Sequence, residues 1–321
     1  MASSPHDEGK VELCSLNTIH AFPTNFFVEN IAVRHTGELL VTVYSAKELF
    51  QLDPLGSTPP VLVHQFSKDI SGIVELGHDK FYVSTGSIGS AGTFEIVEVD
   101  VSTLTTDAAG HVTTPATVRT VVDVPEAIFL NGSTPLPGSE GVFLAADSIL
   151  GAIFQIDITS GKAKIWLQDE AFTKTTENPF IPGANGIKSH GKHVYVSNTE
   201  RLIVLRVPIS PTGEPGGPVE TVFDRCGADD FALDAAGTLY LATHVFNSVI
   251  KISPDGVRSR IAGGPDDTTV AGSTSAAFGR TERDRTRLYV TTNGGMSSPV
   301  DGKVGPGRVL GLEVGPPGAV A

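Results

Sequence analysis

The chain alternates short apolar runs with glycine-rich or polar turns along most of its length. One unit reads IAVRHTGELLVT and then LFQLDP, and a later unit reads FALDAAGTLYLAT and then VIKIS. The runs either alternate apolar with polar positions or are apolar throughout, as in β-strands that are buried on one or both faces. The 3.6-residue period of helical repeats is absent. The pattern therefore predicts an all-β protein.

The unit recurs six times, and its middle apolar run carries a large residue that marks each copy. Successive marks are 42, 61, 52, 45 and 49 residues apart, which is the period of four-stranded propeller blades. We predict one domain over residues 1–321, a six-bladed β-propeller of four-stranded blades, with residues 1–10 and 315–321 as loose tails. The early run VELCSLNTI is predicted to add a strand to the last blade and close the ring. The marks are Leu40, Tyr82, Phe143, Tyr195, Tyr240 and Tyr289.

Charge and composition narrow the class of partner. Lys plus Arg number 23 and Asp plus Glu number 36, so the formal charge of −13 argues against nucleic acid and against anionic membrane surfaces. No apolar stretch reaches the ~20 residues of a membrane span, so no membrane insertion is expected. The start MASSPHDEGK lacks an apolar signal core, which predicts a cytoplasmic protein, or a secreted one only if a signal peptide was removed. We expect a monomer.

Oxygen-bearing side chains occur at one register in four of the six units. Counting back 10 to 12 residues from a mark reaches the start of the innermost strand, and these starts converge on the axis of a propeller. Carboxylate and amide oxygens suit Ca²⁺ or Mg²⁺, and zinc is a third option. The four predicted ligands are Glu29, Asn131, Asn185 and Asp229, while Ser71 and Phe278 hold the register in the other two units.

Simpler interpretations exist for single members of this set. Asn-Gly at 131–132 and at 185–186 is a common turn dipeptide, and Asp229-Asp230 alone would be a solvated turn. The shared register is the one reason to interpret the four residues together as a metal site. No P-loop or Gly-x-Gly-x-x-Gly motif is present, so we expect no organic cofactor.

The four motifs VENIAV, FLNGS, GANGI and GADDF resemble those of the SMP-30/gluconolactonase/LRE-like superfamily of six-bladed propellers. The resemblance covers nearly the whole chain and implies that Glu29, Asn131, Asn185 and Asp229 are the metal ligands. It also implies that Asp229 serves as general base in a lactonase. Sugar-lactone hydrolases of that superfamily carry an Arg two residues before the first Asn, where this chain has Phe129.

The phrases ENIAVR, DDFALD and TSAAFGR resemble the fungal branch of the superfamily, which includes hetero-Diels–Alderases of natural-product biosynthesis. Residues that follow the middle strands should return to the ligand face, and several aromatic residues are expected on the same rim. Such a pocket would suit a hydrophobic small molecule. The predicted substrate-binding residues are Phe26, Phe27, Tyr44, Phe129, Asp147, Asn198, Phe246 and Asn293.

Three functions remain open from the sequence. The predicted catalytic residues are Asp229 and His244. The first function is a metal-free or metal-tolerant cyclase that binds a hydrophobic natural-product intermediate, with His244 or Asn293 as a hydrogen-bond donor. The second is a metal-dependent lactonase, in which Asp229 activates water. The third is a non-catalytic binding propeller. Phe129 in place of the Arg favours the cyclase.

Overall fold

The computed structural model describes residues 6–56, 58–178 and 180–315. Six four-stranded antiparallel sheets form a ring, so the predicted six-bladed propeller is confirmed. All six marks lie in the second strand of their blades. The only helical elements in this part of the chain are two 3₁₀ turns, Glu170–Phe172 and His244–Phe246. None of the described helices is long and apolar enough to cross a membrane.

The blades follow one another along the chain, and each runs outward from the channel, except that the outermost strand of blade six comes from the N-terminal part. A small hairpin, Thr105–Thr106 with Val112–Thr114, extends from blade two. From the inside outward the strands are Val28–Val33, Leu39–Val43, Glu48–Leu52 and Val61–Gln65 in blade one; Asp69–Glu75, Lys80–Gly86, Glu95–Asp100 and Thr117–Asp123 in blade two; Leu130–Pro135, Val142–Asp147, Ala152–Asp157 and Lys162–Gln168 in blade three; Ala184–His190, His193–Asn198, Ile203–Pro208 and Glu220–Phe223 in blade four; Phe231–Leu233, Leu239–Thr243, Ser248–Ile252 and Arg258–Gly263 in blade five; and Ser273–Phe278, Arg287–Thr292, Pro306–Glu313 and Leu16–Thr24 in blade six.

The ring closes through the N-terminal part of the chain, as predicted. Leu16–Thr24 pairs antiparallel with Pro306–Glu313, so blade six contains both ends of the propeller. Residues 6–10 do not form the loose tail that we expected. Lys10–Val11 pairs in parallel with Arg258–Gly263 as a fifth strand of blade five, and the Asp7 N–H donates to the Arg225 carbonyl. The remaining tail residues, 1–5 and 316–321, lie outside the described part.

The core lies between neighbouring blades, where the apolar positions of adjacent sheets meet. One cluster joins blades two and three around Tyr82, Phe143 and Phe154, all nearly inaccessible to solvent. The buried tyrosines keep their hydroxyls paired: Tyr82 donates to Glu98 at 2.8 Å and Tyr289 donates to Asp284 at 2.9 Å. Pairing of this kind removes the cost of burying a phenol oxygen.

Glycines let the innermost strands approach one another around the channel. A Cβ atom at Gly72 would lie 2.0 Å from the carbonyl oxygen of Asn131, and one at Gly132 would lie 2.6 Å from that of Asn185. Each of these glycines directly follows a residue of the predicted ligand register. At the position that follows this register, the backbone is therefore packed too closely for any side chain in three of the blades, because Gly186 is confined in the same way by Asp230.

Candidate active site at the mouth of the channel

A cavity of about 260 Å³ opens at the end of the channel where the innermost strands begin. Its floor is polar, because it contains three of the four predicted ligands, and most of its wall is aromatic or aliphatic. The residues that line it are Phe27, Glu29, Tyr44, Ser71, Ile88, Phe129, Asn131, Phe180, Pro182, Asp229, His244, Met296 and Ser297.

The four residues of the predicted ligand register come together. Glu29, Asn131 and Asp229 line the cavity, and Asn185 donates from Nδ2 to Asp229 Oδ1 at 2.5 Å. All four are buried, with between 1 and 9% of their surface exposed. The convergence that the register predicts is present, whereas metal binding by this set stays a prediction.

Two hydroxyl groups orient the amides of this set. Ser148 donates to the Ala184 carbonyl at 2.6 Å and accepts from Asn131 Nδ2 at 3.3 Å. Thr199 repeats the arrangement one blade further on, since it donates to the Ala228 carbonyl at 2.8 Å and accepts from Asn185 Nδ2 at 2.9 Å. With the amide nitrogens held in this way, both amide oxygens point away from the hydroxyls. In the described chain no group donates to either of them.

Glu29 is the most unfavourably placed charge of the site. Burial, and then the nearby carboxylates of Asp229 and Asp230, raise the pKa of Glu29 well above its usual value. Over the described residues, no group donates a hydrogen bond to its carboxyl. A carboxylate and two amide oxygens without donors, beside a second carboxylate, form an all-oxygen donor set that fits a divalent cation.

The sixth position of the register belongs to Thr274 rather than to Phe278, so that assignment was wrong. Phe278 lies at the far end of its strand, where it pairs with Leu288 and packs edge-on against Tyr240. Thr274 donates to the Val28 carbonyl at 2.6 Å, just as Ser71 donates to the Leu130 carbonyl at 2.6 Å. The sequence misled the count because blade six has a longer turn before its mark.

His244 forms hydrogen bonds through both of its ring nitrogens. Its Nδ1 lies 2.9 Å from Asp229 Oδ2, and its Nε2 lies 2.6 Å from Asn293 Nδ2. The Asn293 side-chain oxygen accepts from the N–H groups of Gly295 and Met296, so its amide nitrogen must face the ring. His244 therefore carries its proton on Nδ1 and orients Asp229. In this arrangement His244 has no free donor to offer a ligand, and Asn293 directs one of its two amide hydrogens at the ring.

A second polar group lies directly beside the floor and was not predicted. Lys188 donates to both oxygens of Asp230 at 2.7 and 2.8 Å, and Ser275 donates to Asp230 Oδ2 at 2.8 Å. Asn30 donates to the same oxygen at 3.3 Å. The Asp-Asp dipeptide was the one signal in the sequence, and the structure assigns its two members different partners: Asp229 belongs to the cavity and Asp230 to a buried ion pair.

The wall of the cavity is built largely from aromatic side chains. Phe27 packs edge-on against both Tyr44 and His244, with ring centroids 5.7 Å apart in each pair. Phe129 is 8% exposed and joins the cluster between blades two and three. Phe180, 71% exposed, stands at the rim. The hydroxyl of Tyr44 makes no hydrogen bond within the described part of the chain, and Tyr44 is thus a free donor in the wall of the pocket.

Five predicted substrate-binding residues do not line this cavity, and one of them is Asn293, which lies against His244. Asp147 accepts four backbone N–H groups, including those of Ile128 and Phe129. Asn198 donates to two carbonyls in and just after the 3₁₀ turn that connects blade three to blade four. Phe26 packs against the core beside Phe22. Phe246 lies outside the cavity, where His6 stacks on its ring at 3.7 Å. A loop-anchoring Asp or Asn cannot be told from a ligand-binding one by register alone.

Comparison with known proteins supports these observations. No protein-family model matches the chain. A putative hetero-Diels-Alderase of Phoma sp. is 29% identical over 310 residues, covering 86% of each chain. A putative hetero-Diels-Alderase of Sarocladium schorii is 29% identical over 318 residues, covering 85% of this chain and 77% of that protein. The predicted resemblance is confirmed.

Solved structures show the same fold at low identity. A luciferin-regenerating enzyme has 18% identity and a TM-score of 0.67, with 96% of this chain and 99% of that chain covered. The calcium-binding protein regucalcin from Agrobacterium tumefaciens has 18% identity and a TM-score of 0.68, covering 97% and 99%. A gluconolactonase from Xanthomonas campestris has 11% identity and a TM-score of 0.63, covering 96% of each chain.

Proposed function

We propose that this protein is an enzyme that binds a hydrophobic natural-product intermediate at the mouth of the channel and directs its cyclisation, as a hetero-Diels–Alderase does. The observation that carries the proposal is the cavity itself, which sets a polar floor beneath a wall of Phe27, Tyr44 and Phe129. The names of the two relatives from Phoma and Sarocladium agree with it.

The wall discriminates between substrate classes. A hydrated sugar lactone would leave hydroxyls unpaired against Phe27 and Phe129, and each unpaired buried group costs about 1–3 kcal/mol. An alkene or an aromatic ring has no hydrogen bonds to lose when it is buried against the same side chains. The cavity of about 260 Å³ is smaller than the usual ~300–1,000 Å³ of ligand pockets, so a larger substrate must extend over the rim and contact Phe180 and Met296.

We assign Tyr44 as the hydrogen-bond donor to the oxygen of the substrate. Burial, and then the charges of Asp69 and Glu29, raise the pKa of Tyr44, which keeps the phenol protonated at neutral pH. A donor aimed at an oxygen that gains charge in the transition state is typically worth ~2.7–4 kcal/mol. The remaining acceleration would come from holding two reacting groups together in one orientation.

The four residues of the predicted ligand register, which we call the axial set, complete the site. Glu29, Asn131, Asn185 and Asp229 would hold one divalent cation, Ca²⁺, Mg²⁺ or Zn²⁺, and Asn131 and Asn185 are oriented for it by Ser148 and Thr199. When bound, such an ion polarises a carbonyl oxygen of the substrate. His244 keeps Asp229 in position through the contact at Nδ1.

A metal-dependent lactonase is the second candidate, because the buried Asp229–His244 pair could also activate water. Two variants separate the candidates. Asp229→Asn should nearly abolish lactone hydrolysis and only reduce cyclisation, whereas Phe180→Ala at the exposed rim should raise the KM of a cyclase for its apolar substrate. Leu62→Ala, an exposed residue in the outer strand of blade one, is the matched control.

The assay compares turnover of simple γ- and δ-lactones with added divalent metal against cyclisation of a quinone-methide-type intermediate with a terpene alkene. We expect accelerated, stereoselective cyclisation with the wild type. Robust metal-dependent lactone hydrolysis that is lost in Asp229→Asn, together with no acceleration of cyclisation by the wild type, would refute the proposal.

A further inference from the structure

A cluster of metal-binding side chains lies at the opposite end of the propeller from the cavity. His35, Glu75 and His78 have ligand atoms that all lie within 4.8 Å of one another, and we call them the histidine cluster. The two imidazole rings have centroids 4.8 Å apart. Asp79 adjoins them, with its Oδ1 3.5 Å from His35 Nδ1. His35 follows Glu29 by six residues along the innermost strand of blade one and its turn, and six residues of extended chain span roughly 20 Å.

Two neighbouring blades supply the cluster. His35 lies in the turn that follows the innermost strand of blade one, Val28–Val33. Glu75 is the last residue of the innermost strand of blade two, and His78 is in the turn that follows. Turns at the same end of adjacent blades meet in a propeller, so the pairing is a direct result of the topology.

Both carboxylates near the histidines are already neutralised by arginines. Arg280 forms an ion pair with Glu75 and also donates to the Val33 carbonyl, and Arg34 donates to Asp79 at 2.8 Å. These contacts hold the carboxylates beside the rings. They also leave the cluster without surplus negative charge, which disfavours Ca²⁺ and Mg²⁺, cations that depend on anionic oxygen ligands.

We propose that His35, Glu75 and His78 form a second metal site that binds a borderline transition-metal cation such as Zn²⁺. Two imidazoles and one carboxylate are a ligand set that Zn²⁺ uses when its fourth position is open. Zinc ligands at ~2.0–2.1 Å lie roughly 3.3 Å apart, so the site closes by small rotations of two exposed histidine side chains. The bound ion would link blades one and two.

The test is titration of the purified full-length chain with ZnCl₂, followed by isothermal calorimetry, and with CoCl₂, followed by its visible absorption. The wild type should bind Zn²⁺ in the presence of excess CaCl₂, which would occupy the axial oxygen ligands. His35→Gln with His78→Gln should weaken the Zn²⁺ affinity at least ~10-fold. Zn²⁺ should raise the Tm of the wild type and not that of the double variant.

Two control variants make the result specific. His111→Gln alters an exposed histidine that pairs with Asp107 in the hairpin of blade two and is not part of the cluster, and it should bind Zn²⁺ as the wild type does. Glu29→Gln alters the axial set and should also retain this binding. Because both cluster histidines are exposed, the single variant His78→Gln should fold normally and show the loss if the double variant does not fold. Wild-type Zn²⁺ affinity in His78→Gln, or Zn²⁺ binding that only Glu29→Gln removes, would overturn the proposal.

Discussion

Substitution of Gly72 by alanine should damage the site through the backbone. The new Cβ atom would lie 2.0 Å from the Asn131 carbonyl oxygen and 3.2 Å from the Ser133 hydroxyl. An ordinary contact between such atoms is about 3.4 Å, so the innermost strands of blades two and three must separate by more than ~1 Å. Overpacking in a rigid interior typically costs about 1–3 kcal/mol, and here the obstacle is backbone that cannot rotate away.

The displacement reaches the site because Asn131 is itself a candidate ligand. A misplacement of about 1 Å in a binding group can reduce catalysis by about 10²-fold. Gly72→Ala should therefore lower the free energy of unfolding in urea by about 1–3 kcal/mol and weaken divalent-metal binding at the axial set.

Gly305→Ala is the matched control, since its Cβ atom would meet nothing closer than 3.7 Å. It should unfold as the wild type does. If Gly72→Ala proved as stable as Gly305→Ala and bound metal normally, the close approach of the innermost strands at the ligand register would be refuted.

Three further predictions concern single side chains of the site. Tyr44→Phe should lower kcat of the proposed cyclase by about 10²–10³-fold with little change in KM, since only a transition-state hydrogen bond is lost; steady-state kinetics check this, and an unchanged kcat would remove Tyr44 from the mechanism. Thr199→Ala leaves one Asn185 N–H and the Ala228 carbonyl without this partner, so urea unfolding should show a loss of about 1–3 kcal/mol, against which a wild-type midpoint would count. Glu29 has a raised pKa in the folded state, so its stabilising contribution is complete below pH about 4.5 and declines as the pH rises through the raised value. In EDTA, Glu29→Gln should therefore be more stable than the wild type at neutral pH. Thermal unfolding at a series of pH values checks this, and a constant difference in Tm between the two proteins across pH would contradict it.

The fold could be predicted because the sequence of each blade shows the same pattern of apolar strands and polar or glycine-rich turns. The period of the marks and the alternation of apolar positions follow directly from burial of sheet faces, and the structure places all six marks in the second strand. The convergence of Glu29, Asn131, Asn185 and Asp229 was predictable for the same reason, since register along a strand translates into position along the axis.

Features that depend on loop geometry could not be predicted. Asp147 and His244 both follow a middle strand, yet Asp147 binds four backbone N–H groups while His244 faces the cavity. The partner of Asp230 is Lys188 from the neighbouring blade, and a contact across 42 residues leaves no local pattern. Phe180 reaches the rim from a long connection that has no repeat equivalent.

Product analysis tests the central claim most directly. The purified protein would be incubated with a quinone-methide-type intermediate and a terpene alkene, and the cycloadduct would be quantified with its stereochemistry against the uncatalysed reaction. We predict a faster reaction that yields one stereoisomer, and we predict that Tyr44→Phe slows it while Leu62→Ala does not. An unchanged rate and isomer ratio, together with metal-dependent hydrolysis of lactones by the same preparation, would contradict the account.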